Sequence, residues 1–253
     1  MMVTMLLVAE QYVRRSMKGF SLLDIFYPKV CPVCQKTLRD NEYICFDCKD
    51  RLVYASENIC CKCGKILKND ESVMCRICET TECFFVEGRS VFYYNDAIKK
   101  SLTGFKYHNR REFSRFYVKS IMEQWEEKIK LWNVDVVVPV PVHEKRLRER
   151  GYNQATIIAR ELCEQIDVDM DEVLIRRDRT KPQKELDRIE RVRNLKEAFA
   201  VSESKMNVIK GKNILLIDDI YTTGATISAC SQKLVEAGAN AVFFITVATG
   251  KGV

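Results

Sequence analysis

The sequence predicts an α/β protein, a mostly parallel sheet with helices on both faces, preceded by a small cysteine-rich domain. Three observations carry this. From residue 86 onward, strand-like and helix-like segments alternate, which favours parallel pairing through crossover helices. The segments at 134–138, 213–217 and 241–247 are short, apolar and rich in β-branched residues, as buried strands are. Ahead of them, ten of the chain's twelve cysteines fall between positions 31 and 83.

Composition limits the function classes. The 253 residues are 47% hydrophobic and 30% charged, enough apolar matter for a packed core. No stretch reaches the roughly 18–20 uninterrupted apolar residues of a membrane span. The opening residues 1–9 are apolar but short, and no basic residue precedes them, so they fit a secretory signal poorly. The expectation is a cytoplasmic protein with no membrane insertion, in which dense cysteine implies metal rather than disulfides.

The cysteines form four CxxC pairs, Cys31/Cys34, Cys45/Cys48, Cys60/Cys63 and Cys75/Cys78. Each knuckle offers two sulfurs to one ion, and a hairpin between knuckles brings the second pair round, as in tetrahedral zinc ribbons. The segment also repeats: the stretch from Cys34 to Glu42 aligns with that from Cys63 to Glu71. Each copy carries a full tetrad, so the expected ligand sets are Cys31, Cys34, Cys45, Cys48 and Cys60, Cys63, Cys75, Cys78, with two structural Zn²⁺. Cys61 in place of Cys60, or a cross-braced pairing, stays geometrically open. Eight thiolates (−8) and two Zn²⁺ (+4) reduce the formal charge of +6 to about +2, so global charge does not argue for nucleic acid. Residues 29–89 hold ten basic and ten acidic side chains, which favours a structural or docking role for the ribbons over direct nucleic-acid contact. The expected divisions are an N-terminal extension over 1–28, a double ribbon over 29–84 and an α/β domain over 85–253.

Within the α/β part, 90–94 reads as a strand. Residues 111–130 read as a helix, with Phe113, Phe116, Tyr117, Ile121 and Trp125 on one stripe. Strand 134–138 is stopped by Pro139 and Pro141. Helix 153–166 carries the core stripe Ala155, Ile158, Ala159, Leu162 and Ile166, and helix 226–237 closes at Gly238.

The chemistry lies at the end of strand 213–217. Asp218 and Asp219 follow its apolar run, and Thr222, Thr223, Gly224, Ala225 and Thr226 then lead into a helix. The strand delivers two carboxylates to the carboxyl edge of the sheet, where open α/β folds bind ligands, and both are expected to lie outside the core. Backbone N–H groups, hydroxyls and the helix dipole converge in the loop, an anion site suited to a phosphate monoester. Neither a Walker A loop nor a GxGxxG turn is present.

This stretch resembles the phosphoribosyl-pyrophosphate (PRPP) motif of type I phosphoribosyltransferases. With 135–142, the run Arg148, Arg150, Gly151, Asn153, Gln154, the stretch around Arg191, Arg193, Asn194 and Phe199, and the ribbon ahead, the chain resembles the ComF family of competence-associated proteins. The resemblance implies a type I phosphoribosyltransferase-like fold. It implies that Asp218 and Asp219 bind the ribose hydroxyls of PRPP with Mg²⁺, and that residues 222–226 hold the 5′-phosphate. For the pyrophosphate, Arg148, Arg150 and Lys181 are candidates, the last within a lid-like stretch, 176–196, with nine basic and four acidic residues. The implied chemistry is displacement of pyrophosphate from the ribose by a nucleophile, although some members of this fold bind such ligands without turnover. His108 and His143 are read as surface or hydrogen-bonding groups.

Two functions follow from the resemblance. One is a PRPP-binding protein of DNA uptake that contacts single-stranded DNA and a helicase-like partner. The other is a metabolic phosphoribosyltransferase with an unidentified acceptor. Residues 99–119 carry seven basic side chains and one acidic, interleaved with aromatics, so Lys99, Lys100 and Lys106 are the candidate nucleic-acid contacts. The aromatics from Phe113 onward fit the core better.

Overall fold

The computed structural model describes residues 28–39, 41–67, 73–177 and 197–250. Residues 1–27 and most of the stretch 176–196, including Lys181, lie outside the described residues. Four parallel strands form the central sheet: β1 (Glu87–Tyr93), β2 (Val136–Pro139), β5 (Asn213–Tyr221) and β6 (Ala241–Thr249), in the order β1-β6-β5-β2. A separate antiparallel pair, β3 (Leu174–Arg176) and β4 (Phe199–Val201), brackets the undescribed stretch.

Alternation along β5 assigns the two faces. Leu215 and Ile217 join Phe243, Ile245 and Val247 of β6 in one apolar cluster, and Ile214 and Leu216 join Val242 and Phe244 in the other. The first face is covered by α3 (Asp96–Tyr107), α4 (Phe113–Leu131) and α6 (Gln154–Ile166). The second is covered by α8 (Ala225–Glu236). Short helices α1 (Phe46–Lys49), α2 (Arg76–Thr80), α5 (Glu144–Arg150) and α7 (Met206–Ile209) complete the described elements used below.

The ribbons repeat in structure as in sequence. Each opens on a one-bridge hairpin, Val30 with Thr37 and Ile59 with Ile66, and each ends on a short helix capped by a ligand cysteine, Cys45 or Cys75. Their packing differs. Cys31, Val33, Cys48 and Leu52 of the first belong to the cluster under α4, whereas Cys60, Cys63, Leu67, Cys75 and Cys78 of the second belong to the opposite one. The two copies thus seal the two faces of one sheet.

The expected elements are present with shifted ends, and unexpected ones join them, α3 and α5 among them. α3 lies where the sequence reads as a basic, aromatic run. Asn95 caps it by accepting from the Ile98 N–H, and Ala97, Ile98, Leu102 and Phe105 form its buried stripe. α5 buries no residue, so no apolar period announces it. β5 runs on to Tyr221, because Asp218, Ile220 and Tyr221 keep pairing with Thr246, Ala248 and Thr249 of β6. The aspartates therefore belong to the strand rather than to a loop after it.

Candidate functional site

The two cysteine tetrads close in sequence order. The sulfurs of Cys31, Cys34, Cys45 and Cys48 lie within 4.8 Å of one another, as do those of Cys60, Cys63, Cys75 and Cys78. Zn–S bonds of about 2.3 Å in a tetrahedron place neighbouring sulfurs roughly 3.8 Å apart. The Cys34–Cys45 and Cys63–Cys75 separations, 3.6 Å and 3.7 Å, fit that geometry. Cross-bracing is excluded. Cys61 is exposed and outside the tetrad, and Cys83, also outside it, donates its thiol to the Thr81 carbonyl at 3.5 Å.

The second site is the carboxyl end of β5. Asp218 and Asp219 differ there. Both residues are half-buried and neither belongs to the buried core. Burial, followed by the neighbouring Asp219 charge, pushes the Asp218 carboxyl up to about 7. The Asp219 N–H, which donates to the Asp218 carboxylate at 2.8 Å, and the positive fields of Lys106 and Arg176 oppose that rise. Asp219 is instead ion-paired, its Oδ2 lying 2.8 Å from Lys106 Nζ. A carboxylate pair that already recruits an ammonium is an all-oxygen donor set fitting a hard dication.

Beyond the acids, Thr222 and Thr223 are exposed and Gly224 takes φ +80°, the left-handed region. Gly224 turns the chain into α8, whose first bond runs from the Ser228 N–H to the Gly224 carbonyl at 2.8 Å. The Thr223 hydroxyl accepts weakly from the Ala225 N–H at 3.4 Å, and the remaining N–H groups of this twelve-residue helix's first turn face the loop.

The arginines after β2 are otherwise engaged. Arg148 pairs with Glu144 on the exposed side of α5. Arg150 donates to the Gln154 side chain at 2.8 Å and to the Tyr107 hydroxyl at 3.1 Å, with its guanidinium 4.9 Å from the Tyr107 ring centre. Lys99 and Lys100 are exposed on α3, while Lys106, on the same helix, turns into the acid pair. His143 caps α5 through Nδ1, which accepts from the Lys145 N–H, and His108 is exposed.

Three residues here carry a different role, or none, in the sequence reading: Lys106 is expected on a nucleic-acid path, Arg176 only as the start of a basic stretch, and Tyr221 has no role. Lys106 is the basic last-turn residue of α3, a helix that the sequence reading missed, so its direction was not available.

Comparison with known proteins agrees with this arrangement. The double zinc ribbon domain matches residues 22–79, and the phosphoribosyl transferase domain matches residues 114–252. Competence protein ComFC of Bacillus subtilis (strain 168) is 33% identical over 207 residues, covering 79% of this chain and 81% of that protein. The chain belongs to the ComF family. Competence protein F of Haemophilus influenzae is a further relative of this ComF-family chain, 27% identical over 83% of the chain and 85% of the relative. The DNA utilization protein YhgH of Salmonella typhi is 26% identical, over 85% and 94%. The fold is accordingly that of a type I phosphoribosyltransferase carrying an N-terminal double zinc ribbon. Among the described residues, no helix is long and apolar enough to cross a membrane.

Proposed function

We propose that this ComF-family chain binds PRPP at the carboxyl end of β5 and serves DNA uptake in natural competence, in the cytoplasm. The observation that carries it is the junction of an acid pair, Asp218 and Asp219, with a glycine-turned phosphate loop opening α8. Relatives named as competence proteins support the process.

In this reading the 222–226 loop receives the 5′-phosphate through N–H and hydroxyl donors, and the carboxylates take the ribose hydroxyls. Mg²⁺, when bound with PRPP, neutralises charge on the pyrophosphate leaving group; Asp218 and Asp219 would hold it. Lys106 must release Asp219 for that to happen, and its ammonium then remains near the developing pyrophosphate charge. Arg176 supplies positive field from β3, while Arg148, Arg150 and Lys181 would complete the pyrophosphate's surroundings. The chain mainly positions and neutralises, as in phosphoryl transfer, and needs no acid–base pair.

The ribbons (29–84) serve as docking elements for a helicase-like partner, and the exposed Lys99 and Lys100 lie on a single-stranded DNA path. Calorimetry with PRPP and Mg²⁺ tests the site: the wild type binds, and the Asp218→Asn/Asp219→Asn chain loses more than tenfold, since each lost charge-assisted hydrogen bond is worth about 1.5–3 kcal/mol. Equal binding by both removes PRPP from the acid pair. A labelled oligonucleotide titrated alone and against PRPP tests the process. Phosphoribosyl transfer to a small acceptor with no oligonucleotide binding favours a metabolic enzyme instead.

A further inference from the structure

The two ribbons are copies, yet only the second reaches the phosphate loop, and it does so through Tyr221. That residue ends β5 immediately before Thr222 and is 2% exposed. Its ring stacks on Phe244 at 4.8 Å, and Phe244 meets Phe85 edge-on at 4.9 Å. The ring belongs to one buried cluster with Cys60, Cys63, Cys75 and Cys78. Its hydroxyl lies under the loop: a Cβ added at Gly224 would sit 2.4 Å from Tyr221 Oη. Tyr221 therefore packs with the ligands of the second metal centre and also sits beneath the glycine that shapes the phosphate loop.

Divergence of the repeat reinforces the contact. In the first ribbon Lys36 lies in solvent and pairs with Asp47 at 3.1 Å. The aligned lysine of the second ribbon, Lys65, is 3% exposed with its ammonium 5.6 Å from the Tyr221 ring centre. The position aligned with Asp47 is Ile77, which packs into the apolar cluster instead of offering a carboxylate. The second ribbon has exchanged an internal surface ion pair for a contact with the residue beneath the loop. The first ribbon's cysteines pack on the opposite face of the sheet.

We infer that the Cys60/Cys63/Cys75/Cys78 centre positions the phosphate loop through Tyr221, so that metal occupancy of this centre and binding of a ribose 5-phosphate group are coupled, while the first centre is uncoupled. The inference rests on the PRPP reading. Metal binding fixes the knuckle that runs from Cys60 to Lys65, and with it the surface against which the Tyr221 ring packs. Tyr221 is thus a positioning residue. Reciprocity requires that a ligand helped by the metal protect that metal equally.

The test uses the full-length, zinc-loaded chain. Chelator is titrated with and without saturating ribose 5-phosphate, and the released cysteines are alkylated and quantified peptide by peptide, which resolves the two centres in one molecule. The expected result is that ribose 5-phosphate raises the chelator concentration needed to open the second centre by about fivefold or more, and leaves the first unchanged. Tyr221→Phe keeps the ring and removes the hydroxyl. It should retain two zinc ions, lose most of this protection, and bind ribose 5-phosphate more weakly by a similar factor. Wild-type binding of ribose 5-phosphate with no protection of the second centre, or equal protection of both, overturns the inference and leaves the PRPP reading standing. Failure of the wild type to bind ribose 5-phosphate or PRPP in calorimetry overturns both.

Discussion

Lys106 Nζ lies 2.8 Å from Asp219 Oδ2, with each side chain 16% exposed. The last turn of α3 thereby supplies the cation for one member of the acid pair, and the other member, Asp218, is left to bear its burial. Two adjacent and chemically identical residues therefore have opposite relations to stability.

Removing Asp219 strands a half-buried ammonium. Asp219→Asn should destabilise the chain by about 1–3 kcal/mol, less than the roughly 3–5 kcal/mol for breaking a fully buried pair. Asp218→Asn should leave stability equal or higher at pH 8, because an amide replaces a desolvated charge. Thermal unfolding of both variants at pH 8 checks the contrast. A larger loss for Asp218→Asn than for Asp219→Asn contradicts it.

The Asp218 carboxyl titrates at about 7, above its ordinary value of 3.8, chiefly because it is buried. Between those two values the unfolded chain has lost this proton and the folded chain keeps it, so stability from this group falls as pH rises through that window. Metal-assisted PRPP binding moves the other way, since Mg²⁺ needs the ionised carboxylate. Affinity measured from pH 6 to 8 should rise and level off above about 7, and the slope should vanish in Asp218→Asn. A flat wild-type profile removes Asp218 from the metal-binding set.

Two sequential tetrads predict about two Zn²⁺ per chain by elemental analysis, and loss of one in Cys31→Ser. Because the ribbons seal opposite faces of the sheet, each metal should protect a different apolar cluster from hydrogen exchange. Loss of both ions from the single variant means that the ribbons fold interdependently.

Much of this was legible from particular residues. The repeat from Cys34 and Cys63 gave the ligand sets, and the run from Ile214 to Ile217 gave the strand and its acid pair, because apolar period and ligand spacing are local signals. The direction of Lys106 was not local: it depends on α3 crossing to the end of β5, and basic residues interleaved with aromatics read equally as a nucleic-acid groove. Burial of Asp218 depends on β5 continuing to pair with β6 through Tyr221, where two acids would ordinarily mark a strand end. Nor could sequence tell Lys65 from Lys36, since the same knuckle position is buried against Tyr221 in one copy and solvated in the other.

The lysines of α3 separate two expectations. Lys99 and Lys100 are exposed, whereas Lys106 is committed to Asp219. If single-stranded DNA runs along α3, Lys99→Gln/Lys100→Gln releases two fewer counterions and flattens the log–log salt dependence of binding by about 1.4, at roughly 0.7 per phosphate contact. PRPP affinity and zinc content should not change in that variant. Lys106→Gln should do the reverse. It leaves the salt slope within error, and it lowers the Mg²⁺ concentration that half-saturates PRPP binding, because the ammonium no longer competes for Asp219. Fluorescence anisotropy of a labelled oligonucleotide across a salt series, beside Mg²⁺ titrations with PRPP, reads both. A slope untouched by the first variant moves the DNA path off α3. A slope flattened by the second means that Lys106 leaves Asp219 for a phosphate when DNA is bound, and that the acid pair and the DNA path share this residue.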